Sequence, residues 1–276
     1  MKQYAIITGA SQGLGKSFAT ELARRGNNLI LISLPGQNLK NMCSELEAEF
    51  GIDIVAIEKD LSSVEALLEV SSTINAGYHV NMLINNAGVG GTNMFTNVDS
   101  DYLLKIINVN ITATSILTHQ LLPNLLKQPK SYILNISSLA AFSPVGYKTI
   151  YPASKAFIHS FSRGLYQELK DTSVFVSVVN PGPMATNSDV TSRIKNHGIL
   201  GRLTQLNPDK VAQVCIAGIF KRDTVIMVNP LSWLVMKILP IWIRMPLMSN
   251  AIKKEICNAE GFYNRYDRLA GSQSAH

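Results

Sequence analysis

Charge is scarce in this chain of 276 residues: Asp, Glu, Lys and Arg make up 16% of it, against about 25% in an ordinary globular domain. Hydrophobic residues reach 46%, so the chain buries a large core, and disorder is excluded as its main state. The excess of 25 Lys+Arg over 19 Asp+Glu gives +6. It is scattered, without a basic run, which argues against a nucleic-acid partner. Cysteine is nearly absent. Cys43, Cys215 and Cys257 are odd in number, far apart and outside any CxxC, which fits a reducing compartment and argues against a disulfide framework or zinc site. The five histidines show no HExxH or other ligand spacing, so no metal site is expected. Met1-Lys2-Gln3 leads into an apolar run ending at Thr8-Gly9. That run is too short for a secretory core with a cleavage site, and a cytoplasmic start is expected.

Short apolar, β-branched runs alternate with segments of helical period. The expected strands are Tyr4–Thr8, Leu29–Ser33, Ile54–Glu58, Met82–Asn85, Tyr132–Ser137, Val174–Val179 and Val225–Val228. They are apolar almost throughout, as strands covered on both faces are. Helices are expected over Gly15–Gly26, Leu39–Phe50, Val64–Asn75, Asp101–Lys127 and Tyr151–Asp171. Strict alternation implies right-handed crossovers and a doubly wound parallel sheet of about seven strands, helices on both faces. Residues 1–228 form one domain on this basis, and 229–276 an apolar extension. Thr186–Pro208, rich in Asn, Ser and Gly with weak periodicity, is expected to be an excursion above the sheet.

The first strand runs into Thr8-Gly9-Ala10-Ser11-Gln12-Gly13-Leu14-Gly15, and a helix follows. Such a turn is a phosphate cradle: glycines allow close backbone approach, and the free N–H groups of the new helix favour an anion. In a βα context it points to a dinucleotide. The spacing is TGxxxGxG rather than GxGxxG, and here the sequence resembles the short-chain dehydrogenase/reductase family. Later segments carry the resemblance on in order, over about residues 3–228. Asp60-Leu61 follows the third strand, where the family contacts adenine; Asn85-Asn86-Ala87-Gly88 matches its NNAG; Pro181-Gly182 with Thr186 matches its PGxxxT. The resemblance implies a Rossmann-like fold and an NAD(P)-dependent oxidoreductase. The cofactor would be held by Gly9, Ser11, Gln12, Gly13, Leu14, Gly15, Ser33, Asp60, Leu61, Asn86, Ala87, Gly88, Tyr151, Lys155, Pro181, Gly182 and Thr186. The second strand ends Ser33-Leu34-Pro35-Gly36. No acid is present there to repel a 2′-phosphate, which tilts the expectation to NADP without excluding NAD.

Tyr151 and Lys155 are one helical turn apart, so the ammonium can lie beside the phenol. A neighbouring cation favours the phenolate, and Tyr151 is expected to exchange a proton near neutral pH. Ser138 stands thirteen residues before Tyr151, the family's Ser-to-Tyr spacing. By resemblance it binds the substrate oxygen, while Lys155 also binds the nicotinamide ribose. Ser137 is its neighbour, and alternation along a strand lets only one of the two face the site. Asn110 lies within an expected helix, a poor place for Asn; by resemblance it holds a water that links Lys155 to solvent. Hydride transfer between NADP(H) and a carbonyl or secondary alcohol follows. A non-catalytic nicotinamide sensor or scaffold is the alternative class, and the four intact residues weigh against it.

Between Leu231 and Met248, 13 of 18 residues are Leu, Ile, Val, Met or Trp. Pro240, Pro246 and two charges make a single membrane pass improbable. Three roles stand open for 231–254: a cap over the substrate cleft, a subunit contact, or peripheral membrane contact with Lys237, Arg244, Lys253 and Lys254 snorkelling. Family members with apolar tails act on lipids or steroids, which implies a hydrophobic substrate here. The resemblance also implies a homodimer or homotetramer through the helices Asp101–Lys127 and Tyr151–Asp171, with Ile116, Leu117, Phe157 and Phe161 as candidate contacts.

Overall fold

The computed structural model describes residues 2–184, 206–230, 234 and 238–260. Seven parallel strands run β1 Gln3–Thr8, β2 Asn28–Ser33, β3 Ile54–Glu58, β4 His79–Asn85, β5 Ser131–Ile136, β6 Val174–Val179 and β7 Val225–Ile226. Their order is β3-β2-β1-β4-β5-β6-β7. The winding reverses between β1 and β4, and such a reversal opens a crevice at the carboxyl ends of those two strands. Thr8 and Asn85 close the two strands there.

Alternation along each strand divides the core into two layers. Ile7, Leu29, Leu31 and Leu134 join Leu14, Phe18 and Leu22 of α1 (Gly13–Arg24), Leu39 and Met42 of α2 (Leu39–Phe50), and Val211 and Cys215 on one face. Ile6, Ile30, Ile32 and Ile133 meet Leu67 and Ile74 of α3 (Val64–Gly77) and Leu117, Leu121 and Leu125 on the other. Leu117, a candidate subunit contact by sequence, is 1% exposed and belongs to this second layer.

Several boundaries differ from expectation. α1 starts at Gly13 rather than Gly15, because Gln12, not the last glycine, is the extended residue that opens the helix. The stretch expected as Asp101–Lys127 divides into α4 (Ser100–Ile107) and α5 (Ala113–Leu126) across a wider π-turn at Asn108–Thr112. Such turns are frequent at functional sites, and Asn110 sits inside this one. β5 ends at Ile136, and Ser138 instead caps a short turn over Leu139–Phe142 by accepting Ala140 N–H. β7 also stops early, at Ile226 rather than Val228.

The remaining helices are α6 (Ile150–Leu169), α7 (Pro208–Phe220) and α8 (Ile241–Glu260). Asn207 caps α7 ahead of Pro208, and Asp209 in its first turn takes a hydrogen bond from Ser17 of α1 at 2.6 Å. Among the described residues no helix is long and apolar enough to cross a membrane.

Candidate active site

At the switch point, the turn into α1 is tied to the end of β4. Thr8 Oγ1 accepts the N–H groups of Asn86 (3.0 Å) and Ala87 (2.9 Å), while Asn86 Nδ2 donates to the carbonyls of Thr8 (2.9 Å) and Gly9 (3.2 Å). A Cβ on Gly15 would lie 2.0 Å from Gly9 O and 2.7 Å from Asn86 Nδ2, so only glycine lets the turn close this tightly. No side chain caps α1 and no acid occupies its first turn. Its first N–H groups therefore have no helical partner and favour an anion, and the cradle fits a dinucleotide's pyrophosphate. Replacing Thr8 by Val strands the Ala87 N–H and leaves the Asn86 N–H only its bond to Ile84 O, and we expect a loss of about 1–3 kcal/mol of stability by chemical denaturation.

The other expected cofactor contacts are placed unevenly. Ser11 Oγ donates to Gln37 Oε1 at 3.2 Å across the β2–α2 turn, and Gln12 is exposed. Ser33 is buried and bonds the carbonyl of Leu34. Asp60 is exposed and accepts Ser62 N–H. The Leu61 side chain lies in the core, which leaves its main chain as the only part that can meet a ligand. Pro181 O accepts Leu139 N–H at 3.0 Å, pinning the turn after β6 beside Ser138; Gly182 packs 3.6 Å from Leu139, measured from the position a Cβ would take. Thr186 lies outside the described residues, as do most of the expected excursion and Trp233 and Lys237 of the tail.

Around Tyr151, the sheet side of α6 is polar where it meets β5. Lys155 is 6% exposed, and its Nζ donates to Ile136 O at 2.9 Å. Ser137 turns inward and donates to Lys155 O, while the Ser138 hydroxyl is near enough to Tyr151 to act on its phenol. Asn110, 1% exposed, accepts Val89 N–H at 2.8 Å and donates to Val89 O (3.0 Å) and Ser154 Oγ (2.9 Å). Lys155 Nζ and Asn110 Oδ1 both approach Gly88, at 3.3 and 3.4 Å from where its Cβ would stand. Lys155 and Asn110 therefore meet at Gly88, the last residue of NNAG, and the Tyr151 ring packs two residues further on, at Gly90.

Burial sets the charge balance here. It pulls the Lys155 ammonium down to about 8 and pushes the Tyr151 phenol up, with the Ser138 hydroxyl opposing. This corrects the expectation of a phenol acidified by its neighbour. The amine stands 5.9 Å from the ring centroid, and desolvation is the largest influence on the phenol. The buried thiols of Cys43 and Cys215 are likewise raised by desolvation, Cys43 to about 11, which removes them as nucleophiles. Among the described residues no group of three His, Cys, Asp or Glu side chains could hold a metal ion.

Sequence reasoning named Asn85 only as part of NNAG and missed the residues that it holds. Asn85 Nδ2 donates to Asn135 Oδ1 (2.8 Å) and Thr118 Oγ1 (3.0 Å), and Asn135 Nδ2 donates to Ser162 Oγ (2.9 Å). This buried chain couples β4 and β5 to α5 and α6. Its signal was an Asn inside each of two apolar strands. Gly90 and Gly91 were also overlooked, although a glycine pair right after NNAG is conspicuous. A Cβ on Gly90 would touch the Tyr151 ring at 3.4 Å, and one on Gly91 would overlap Tyr102 Oη at 1.7 Å.

The family model for short chain dehydrogenase matches residues 3–197. The chain belongs to that family. This short-chain dehydrogenase is 35% identical to zebrafish (Danio rerio) very-long-chain 3-oxoacyl-CoA reductase-A over 188 residues, which are 67% of this chain and 59% of that protein. It is 32% identical to the human (Homo sapiens) very-long-chain 3-oxoacyl-CoA reductase over 257 residues, 91% of this chain and 80% of its relative. The match thus spans about three-fifths of the zebrafish protein's length. A short-chain dehydrogenase from Sphingobium yanoikuyae, solved in complex with NADPH, superposes with a TM-score of 0.74 at 27% identity, covering 90% of this chain and 96% of that one. The doubly wound, Rossmann-like sheet is the family's, and the family's members are NAD(P)-dependent oxidoreductases.

Proposed function

We propose that this short-chain dehydrogenase reduces the ketone of a long-chain, apolar substrate of the 3-oxoacyl thioester class, with NADPH as cofactor. What supports the proposal is the approach of Lys155 and Asn110 to Gly88 and of the Tyr151 ring to Gly90, on the segment whose Asn86 is tied to the glycine turn. Hydride supply is the bound dinucleotide's part in the chemistry. Tyr151 passes its proton to the carbonyl oxygen, and Ser138 holds that oxygen as charge grows on it. Lys155 holds the ribose and keeps a positive field under the phenol, and Asn110 orders the Gly88–Val89 segment.

NADPH is favoured because no acid lies between Ser33 and Asn38, while Lys40 stands exposed in the first turn of α2. Titration with both reduced cofactors, followed by nicotinamide fluorescence, is expected to give at least tenfold tighter binding of NADPH. Equal or tighter binding of NADH overturns the choice.

The long-chain substrate rests on the relatives' names and on the tail. Ile238, Trp242 and Leu247 are 70%, 71% and 60% exposed, with Lys253 and Lys254 exposed further along α8, a pattern suited to peripheral contact with a lipid surface. Co-flotation with anionic liposomes tests it, and its absence at low salt removes the membrane contact. Phe157, 40% exposed and stacked on Phe161 at 5.9 Å, supports pairing of two copies through α6. Phe157→Glu is expected to shift a dimer or tetramer toward monomer in sedimentation.

A further inference from the structure

The chain reaches Tyr151 through a turn with one strained residue. Tyr147 has φ +67°, a left-handed conformation in which a bulky side chain is an outlier, persisting only where the surroundings hold it. Hydrogen bonds bracket it on both sides. Tyr147 O accepts Asn93 N–H at 2.8 Å, and the preceding Gly146 N–H donates to Ser249 Oγ at 2.8 Å. The second contact comes from α8. A Cβ on Gly146 would stand 3.2 Å from Ser249 Oγ and 3.3 Å from its Cβ, so the helix sits close against the turn. Tyr147, Asn93 and Tyr151 line one cavity with Gly91 and Tyr102. The strained turn is therefore both the wall of that cavity and the lead-in to the proton donor. Ser249 lies beyond the stretch matched by the family, residues 3–197.

We propose that Ser249 of the C-terminal helix is a positioning residue for Tyr151, acting through the Gly146–Tyr147 turn. The tail thereby serves the active site from outside the shared fold. The inference rests on the proposed role of Tyr151 as proton donor. When Ser249 lets go, Gly146 N–H loses its acceptor, Tyr147 relaxes toward a common backbone conformation, and the start of α6 shifts. The cradle, on the β1–α1 side, is untouched by this change.

The test compares the full chain with its Ser249→Ala and Ser249→Thr variants. With NADPH and a long-chain 3-oxoacyl-CoA, Ser249→Ala is expected to lower kcat about five- to tenfold, the rate equivalent of one hydrogen bond. NADPH affinity should stay within about twofold, and Ser249→Thr, which keeps the acceptor, should restore kcat. In amide exchange, Ser249→Ala should speed exchange at Gly146 and Tyr151 about tenfold while β1, β4 and β5 keep their protection. An unchanged kcat, an equal fall in kcat and cofactor affinity, failure of Thr to rescue, or unaltered exchange at Gly146 each overturn the proposal. A wild-type chain that turns over no ketone with either cofactor counts against the proposed function instead, and the exchange comparison still decides whether Ser249 pins the turn.

Discussion

Replacing Tyr151 by Phe lowers kcat about a thousandfold, within the range that a positioned general acid supplies. The fold should hardly notice. The ring keeps its seat against Gly90, where a Cβ would stand 3.4 Å away, and only the hydroxyl is lost, at a cost of about 1 kcal/mol or less. Cofactor titration should give an affinity close to wild type, because the cradle residues of β1 and α1 make no use of the phenol. A variant that keeps more than about a tenth of wild-type turnover contradicts the proton-donor role.

Lys155→Met should abolish turnover and, without cofactor, make the protein more stable at pH 7. Burial holds the wild-type ammonium near 8 against 10.5 for a free lysine, so charging it in the folded state costs up to about 3 kcal/mol. The lost bond to Ile136 O returns about 1 kcal/mol of that. A net gain of about 2 kcal/mol should raise the melting temperature by about 4–8 °C. Between pH 8 and 10.5 the unfolded wild-type chain binds more protons than the folded one, so its stability rises with pH through that window. The Met variant should lack this rise. A variant that is less stable at pH 7, or keeps the slope, shows that Lys155 is not under the strain of burial.

Much of this was legible in the chain itself. Continuous apolar runs such as Leu29–Ser33 cannot be half-exposed, so both faces of the sheet had to be covered, and the two core layers follow. The glycine turn and the Tyr151–Lys155 spacing marked the two ends of the site because each depends on local geometry. What escaped depends on distant partners. The π-turn at Asn108–Thr112 exists because Asn110 reaches Val89 and Ser154, neither of which local periodicity can foretell. The upward shift of the Tyr151 phenol was misjudged for the same reason: spacing shows that an amine is near, and only the packed site shows how little water remains. The hold of Ser249 on Gly146 joins residues 103 positions apart, beyond any local signal.

The most direct test follows the hydride. NADPH deuterated on the transferring face of nicotinamide C4 is incubated with the full-length protein and a long-chain 3-oxoacyl-CoA, and the product is examined by mass spectrometry and NMR. We expect a hydroxyacyl product with a single deuterium on the carbinol carbon, formed by the wild type and not by Tyr151→Phe. Binding of NADPH with no labelled alcohol from this or any other ketone would contradict the account and leave a nucleotide-binding protein without reductase chemistry.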